Sequence, residues 1–429
     1  MSKLKDMSNT TLQGYYAELS KSYQDFQAQN LKLDMSRGKP CTEQLDLSAD
    51  LLDCLTKSDY KASNGIDCRN YGGIDGIPEA KKLFSWILDA KPEEIIIGGN
   101  SSLNMMHDLI SRAMLHGLPE SDVPWSKLPK VKFLCPSPGY DRHFAICQHL
   151  GIEMIRVNYQ DDGPDMNQVE NLVASDPAIK GIWCVPKYSN PTGIIYSDIV
   201  VKRLAAMPTK APDFRIFWDN AYAVHHLTDT PVTLLNILQT CNAAGHPDRV
   251  FEFASTSKVS FPGAGIAMLA SSVNNINWLK KQLNIQTIGP DKLNQLRHVR
   301  FFKNEAGIKE HMIRHAAIIK PKFNLVLDIL ESELGGENIA SWSKPQGGYF
   351  ISLDTLPGCA KDIVAKAEAA GVLLTPAGAT YPYGKDPEDK NIRLSPTFPP
   401  LSELKQAMEL VVLCVKLVSA EQELAARGL

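Results

Sequence analysis

Short apolar runs, each bounded by glycine, proline or small polar residues, recur through the middle of the chain. They fall at 94–97, 131–135, 152–157, 179–185, 214–218, 250–253 and 265–270. Each is shorter than an ordinary helix, and the β-branched and aromatic content suits buried strands. Between many of them apolar residues return at helical spacing, as at Leu103, Met106, Leu109, Ile110 and Ala113. This alternation predicts an α/β fold, a mostly parallel seven-stranded sheet covered by helices.

The flanks read differently. Residues 11–28 carry spaced apolar positions and predict a helix ahead of a turn at 37–40. Residues 306–334 form a long periodic stretch, a helix expected to bend or break at Pro321. It hands the chain to a smaller α+β region containing 347–353, 371–375 and 392–394. The expected division is an N-terminal helix and segment, 1–50, contributing to the small domain; a large domain, 51–305; and a C-terminal small domain with its linking helix, 306–429.

Composition narrows the class. The 429 residues are enough for a large and a small domain, and 45 basic against 48 acidic residues argue against a broad nucleic-acid surface. No run is long and apolar enough to span a membrane, and the polar N-terminus lacks a signal-peptide core. The nine cysteines are scattered without a close CxxC pair and read as cytosolic thiols. His311 and His315 stand four apart but lack the glutamate of HExxH, so they read as helix-surface residues; adjacent His225 and His226 point apart, and no metal is expected.

Candidate chemistry gathers where apolar runs end. Lys258 closes Ser255-Thr256-Ser257-Lys258, directly after the 250–254 run, where a lysine amine can form a Schiff base with an aldehyde. Asp219 ends the run 214–218, and a carboxylate there needs a cationic or protonated partner, such as a pyridinium nitrogen, unless it merely caps a helix. Asn190, in Ser189-Asn190-Pro191-Thr192-Gly193, sits on a sharp turn and, with Tyr222, offers donors to a phenolate oxygen, against a plain Asx turn and a packed tyrosine. Gly98-Gly99-Asn100-Ser101-Ser102 joins a strand to a helix start, where N–H groups and two hydroxyls can hold a phosphate or simply cap the helix.

Together with Tyr140 in Ser137-Pro138-Gly139-Tyr140-Asp141, these segments resemble the fold-type I pyridoxal-phosphate aminotransferases over nearly the whole chain. STSK, DNAY, NPTG, RNYGGIDG, KPQGGYF and NIRLSPTF look most like a divergent aspartate-aminotransferase branch whose domain also occurs in MocR-like proteins. The chain leaves no room ahead of its catalytic segments for the DNA-binding domain of such regulators. The resemblance implies pyridoxal 5′-phosphate as cofactor, with Lys258 holding its aldehyde, Asp219 its ring nitrogen, and Asn190 and Tyr222 its ring oxygen. It implies Tyr140 against the ring face, Ser101, Ser102, Ser255 and Ser257 around the phosphate, and Tyr71 reaching the phosphate of a neighbouring subunit in a homodimer. Arg393 resembles the clamp for the substrate α-carboxylate, and Gly38 belongs to a segment that closes over the substrate.

One position departs from the family. An arginine that commonly meets the phosphate, eight residues after the lysine, is replaced here by Ile266. The expected reaction is transamination between L-aspartate and 2-oxoglutarate, with aromatic or small apolar amino acids, β-elimination, decarboxylation and a non-catalytic regulatory module as alternatives. A dicarboxylate needs a second cation, for which Arg37, Lys39, Arg142 and Arg297 are the candidates. An amino-acid enzyme of the cytoplasm, with no nucleic-acid or membrane partner, is the resulting expectation.

Overall fold

The computed structural model describes residues 3–429. Its main sheet runs, from one edge to the other, Ile95–Ile97, Ala267–Ala270, Val250–Ser255, Arg215–Asp219, Ile179–Cys184, Lys132–Ser137, Glu153–Gln160 and Gly163–Pro164. The five neighbours from Val250–Ser255 to Glu153–Gln160 are parallel, and Ala267–Ala270 is antiparallel to both strands beside it. All seven expected strands are present. The eighth is a two-residue edge pairing at Gly163–Pro164, which has no strand pattern; proline, lacking an N–H, is tolerated there because one side of an edge strand needs no partner.

Alternation along the central strands builds a core on each face of this sheet. Ile216 and Trp218 pack on one face with Ile182, Val250 and Met268, while Phe217 packs on the other with Phe133, Phe251, Phe253 and Trp183. Asp219 shares the parity of Phe217, so its carboxyl emerges on the aromatic side, at the carboxyl edge of the sheet. There the 137–141 turn delivers Tyr140 as the N-cap residue of the helix Asp141–His149.

A third core joins the helix Asn9–Ala28 and the long helices Glu305–Leu334 and Leu401–Ala426 to a three-stranded antiparallel sheet, Ala340–Trp342, Ile351–Thr355 and Asn391–Leu394. Leu33–Asp34 pairs in parallel with Val372–Leu373, bringing the segment before Gly38 beside the C-terminal part of the chain.

The helix Glu305–Leu334 runs through Pro321 without interruption. Tertiary packing outweighs the lost backbone bond: Lys322 and Phe323 are buried, and the Lys322 ammonium donates to Thr397 O at 2.8 Å. The same helix corrects the expectation of surface histidines. His311 and His315 are interior, their Nε2 atoms 3.0 Å apart, with His311 Nε2 2.8 Å from Val259 O. Gln44 Nε2 reaches His315 Nδ1 at 3.0 Å and Tyr349 Oη at 2.8 Å, so the segment 41–48 covers what helical spacing alone left exposed.

Candidate active site

Asp219 ends its strand almost fully buried, and one of its two oxygens is already committed. His143 Nε2 donates to Oδ2 at 2.9 Å, since a carboxylate only accepts, and the imidazole is stacked on Trp183 with centroids 4.2 Å apart. The other oxygen, Oδ1, is buried with no hydrogen-bond partner among the described residues. An orphaned buried acceptor is costly, and a protonated ring nitrogen is the kind of group that satisfies it.

Lys258 follows the strand Val250–Ser255 and turns its amine toward aromatic faces, 5.2 Å from the Tyr222 ring centre and 5.7 Å from that of Tyr349. Burial lowers its pKa below the usual lysine value; nearby Asp219 opposes that shift and Arg393 adds to it. The backbone of Lys258 is held as well: His225 Nε2 lies 3.2 Å from its carbonyl oxygen, and Tyr349 Oη donates to the same oxygen at 3.5 Å. Burial pushes His225 down to about 3, so at neutral pH that imidazole is uncharged.

Arg393 lies on the strand Asn391–Leu394 and reaches back across the crevice. Its Nη1 is 2.9 Å from Asp141 Oδ1 and 3.4 Å from Asn190 Oδ1, its Nε donates to Thr375 Oγ1 at 3.3 Å, and its guanidinium sits 4.9 Å from the centre of the Phe350 ring. Gly38 is required beside that ring, because a Cβ there would lie 2.4 Å from Phe350 Cζ. The open crevice has a volume of about 830 Å³, and Gly38, Tyr140, Asn190, Tyr222, Lys258 and Arg393 all line it. Burial, with the charge of Asp219 second, pushes the Tyr140 hydroxyl up to about 12.

The expected phosphate hydroxyls lie on two segments that meet through Asn100. Ser255 Oγ donates to Ser257 Oγ at 3.0 Å, Ser257 Oγ lies 3.3 Å from Asn100 O, and Ser101 caps the helix Ser102–His116 by accepting from Asn104 N. That helix start carries the unpaired N–H groups that favour an anion. The Ile266 side chain is buried in the sheet core and offers the phosphate nothing; its N–H donates to Thr256 Oγ1.

Asp219 and the four serines lie behind the cavity lining, and two further expected residues, Tyr71 and Arg297, lie outside it. Tyr71 is 79% exposed on the surface of its own chain. Arg297 does not line the cavity and instead donates to Asn294 Oδ1 at 2.6 Å, on the helix Lys292–Phe302; Arg37, Lys39 and Arg142 do line it. Sequence reasoning missed His143, Asp141, Thr375, Phe350 and His225. His143 alone had a signal, since it stands three residues after Tyr140 and so shares its helix face, and the two rings meet edge to face at 4.9 Å.

The free Asp219 Oδ1, the buried Lys258 amine and the hydroxyl cluster fit the ring nitrogen, aldehyde and phosphate of pyridoxal phosphate. Fold and site together define a fold-type I pyridoxal-phosphate-dependent aminotransferase. The chain belongs to the aspartate amino-transferase family, whose pattern matches residues 7–427. An aspartate aminotransferase of Corynebacterium glutamicum is 47% identical over 423 residues, 97% of this chain and 98% of the relative. A crystal structure of an aspartate transaminase from that organism superposes with a TM-score of 0.96 at 46% identity, covering 99% of both chains. A protein of Mycolicibacterium smegmatis is 53% identical over 403 residues, 94% of each chain.

Proposed function

We propose that the enzyme transfers the amino group between L-aspartate and 2-oxoglutarate, as a member of the branch shared with MocR-like proteins. The observation that carries the substrate class is the arrangement of cations: Arg393 on one side of the cavity, with Arg37 and Arg142 also lining it and forming no ion pair among the described residues. Lys39 is partly committed to Asp34 at 3.6 Å. One guanidinium then serves the α-carboxylate, and Arg142 or Arg37 the side-chain carboxylate. The near-full-length likeness to an aspartate aminotransferase supports the same pair.

Bound pyridoxal phosphate supplies an electron sink for charge developing at the substrate α-carbon. The chain does the rest. Asp219 Oδ1 would accept from the ring nitrogen and keep it protonated, while His143 fixes the carboxylate plane through Oδ2. Asn190 and Tyr222 would hold the ring oxygen, Tyr140 the ring face, and Ser101, Ser102, Ser255 and Ser257 the phosphate. The Lys258 amine, with its pKa lowered by burial, takes the proton from the α-carbon. Arg393 orients the α-carboxylate and exchanges Asp141 for it, and the Gly38 segment excludes water.

A homodimer completes the site with Tyr71. The segment after Tyr71 is anchored where Lys292 donates to Gly72 O at 2.7 Å, and exposed Ile285 and Ile288 lie just upstream of Lys292, apolar surface of the kind a subunit interface covers. Residues 51–305 act as the large cofactor-binding domain, with 1–50 and 306–429 as the small one. Nine unpaired cysteines fit a cytoplasmic enzyme.

The test is the absorbance of cofactor-loaded protein before and after L-aspartate, with Lys258→Ala beside it. Conversion of the aldehyde-form band to the amine-form band in the wild type alone supports the reading. An aldehyde band indifferent to L-aspartate rejects the substrate, and a band independent of Lys258 rejects its role.

A further inference from the structure

A second cavity, of about 350 Å³, shares no lining residue with the one around Lys258. Trp218 and Glu252 are register partners on neighbouring strands, and their side chains point to the face opposite Asp219 and Phe253. They line this space with Lys187, Asn220, Trp86 and Ile237.

Its polar groups are buried and incompletely paired. Lys187 is only 8% exposed, yet its amine has no ion pair or hydrogen bond among the described residues. Glu252 is 4% exposed and accepts from Asn220 Nδ2 at 3.0 Å, while Asn220 Oδ1 is buried without a donor. Burial pushes the Lys187 ammonium down to about 8 and the Glu252 carboxyl up to about 8.

In the empty cavity burial keeps the Glu252 carboxyl protonated at neutral pH, so a cation arriving beside it releases that proton and ion-pairs with the carboxylate, while the buried Lys187 amine gains by meeting an anion. No ion pair or hydrogen bond joins Lys187 to Glu252 among the described residues. The space between them therefore suits a molecule that is anionic at one end and cationic at the other. Trp86, Trp218 and Ile237 provide an apolar wall, and the volume is at the small end of ligand pockets.

We propose that this cavity binds a free α-amino acid with an apolar side chain, its carboxylate on Lys187 and its ammonium on Glu252 and Asn220 Oδ1. The site is tied to the catalytic crevice by the chain itself. Lys187 enters the turn that carries Asn190, and Asn220 directly follows Asp219. An occupant acts on the two side chains that face the cofactor ring, which makes it an effector rather than a substrate.

The experiment uses holoenzyme crystals soaked in L-leucine, with calorimetric titration of L-leucine into wild type, Lys187→Met and Glu252→Gln. The expected result is L-leucine spanning Lys187 and Glu252, with binding there weakened at least about tenfold in both variants while the cofactor band is retained. Water alone in the soaked cavity, L-leucine only beside Arg393, or binding untouched by both substitutions overturns the proposal. The wild-type crystal decides the matter even where a variant fails to fold.

Discussion

Asp141 Oδ1 lies 2.9 Å from Arg393 Nη1, so the guanidinium facing the active-site cavity is held by a carboxylate of its own chain. Arg393 is 6% exposed, and its remaining contacts, to Asn190, Thr375 and the Phe350 face, hold it in place without Asp141. Binding a substrate carboxylate is therefore an exchange of one anion for another. Asp141→Asn is expected to lower the KM for the amino donor by about fivefold, about 1 kcal/mol, with kcat little changed. Steady-state kinetics checks this; a raised KM assigns Asp141 to orienting the arginine instead.

Asp219 and His143 form a graded pair. Asp219→Asn removes the charge that keeps a ring nitrogen protonated, and turnover is expected to fall by about a hundredfold or more. His143→Ala leaves the carboxylate charged but frees its orientation and opens a void against Trp183, for an expected loss of about tenfold. Equal losses in single-turnover measurements contradict the separate roles.

Ser257 links Ser255 to the backbone of Asn100. With Ile266 standing where a cation is common, hydroxyls and the helix start are expected to carry more of the phosphate. Ser257→Ala is expected to raise the dissociation constant of pyridoxal phosphate by about fivefold to tenfold, read by equilibrium dialysis, with kcat at saturating cofactor nearly unchanged.

Glu252 gives a signature in stability. Its folded pKa, about 8, lies above the usual glutamate value, so between roughly pH 4.5 and 8 the folded protein holds a proton that the unfolded chain releases. The contribution is fully present below pH 4.5 and is lost as pH rises through 8. Denaturant midpoints of wild type against Glu252→Gln are expected to diverge over this window, with wild type losing on the order of 3 to 5 kcal/mol relative to the variant. Parallel pH profiles exclude a buried, protonated Glu252.

Much of this protein is written locally. The seven apolar runs, the turn at Asn190, the hydroxyls around Lys258 and the carboxylate ending at Asp219 follow from short-range pattern, because a strand, its face and its terminating turn are set within a few residues. Which strand ends meet at one crevice also follows from the alternation of strands and helices.

What only the tertiary structure decided are pairings between distant segments. No local pattern joins His143 to Asp219, 76 positions on, or Asp141 to Arg393, 252 positions on. Burial of His311 and His315 came from a covering segment near Gln44, Arg297 was drawn out of the cavity by its own helix, and Pro321 was held in a continuous helix by its neighbours. Periodicity tells which face of an element is apolar; what finally covers that face, and which polar group meets which, depends on packing among elements far apart in the chain.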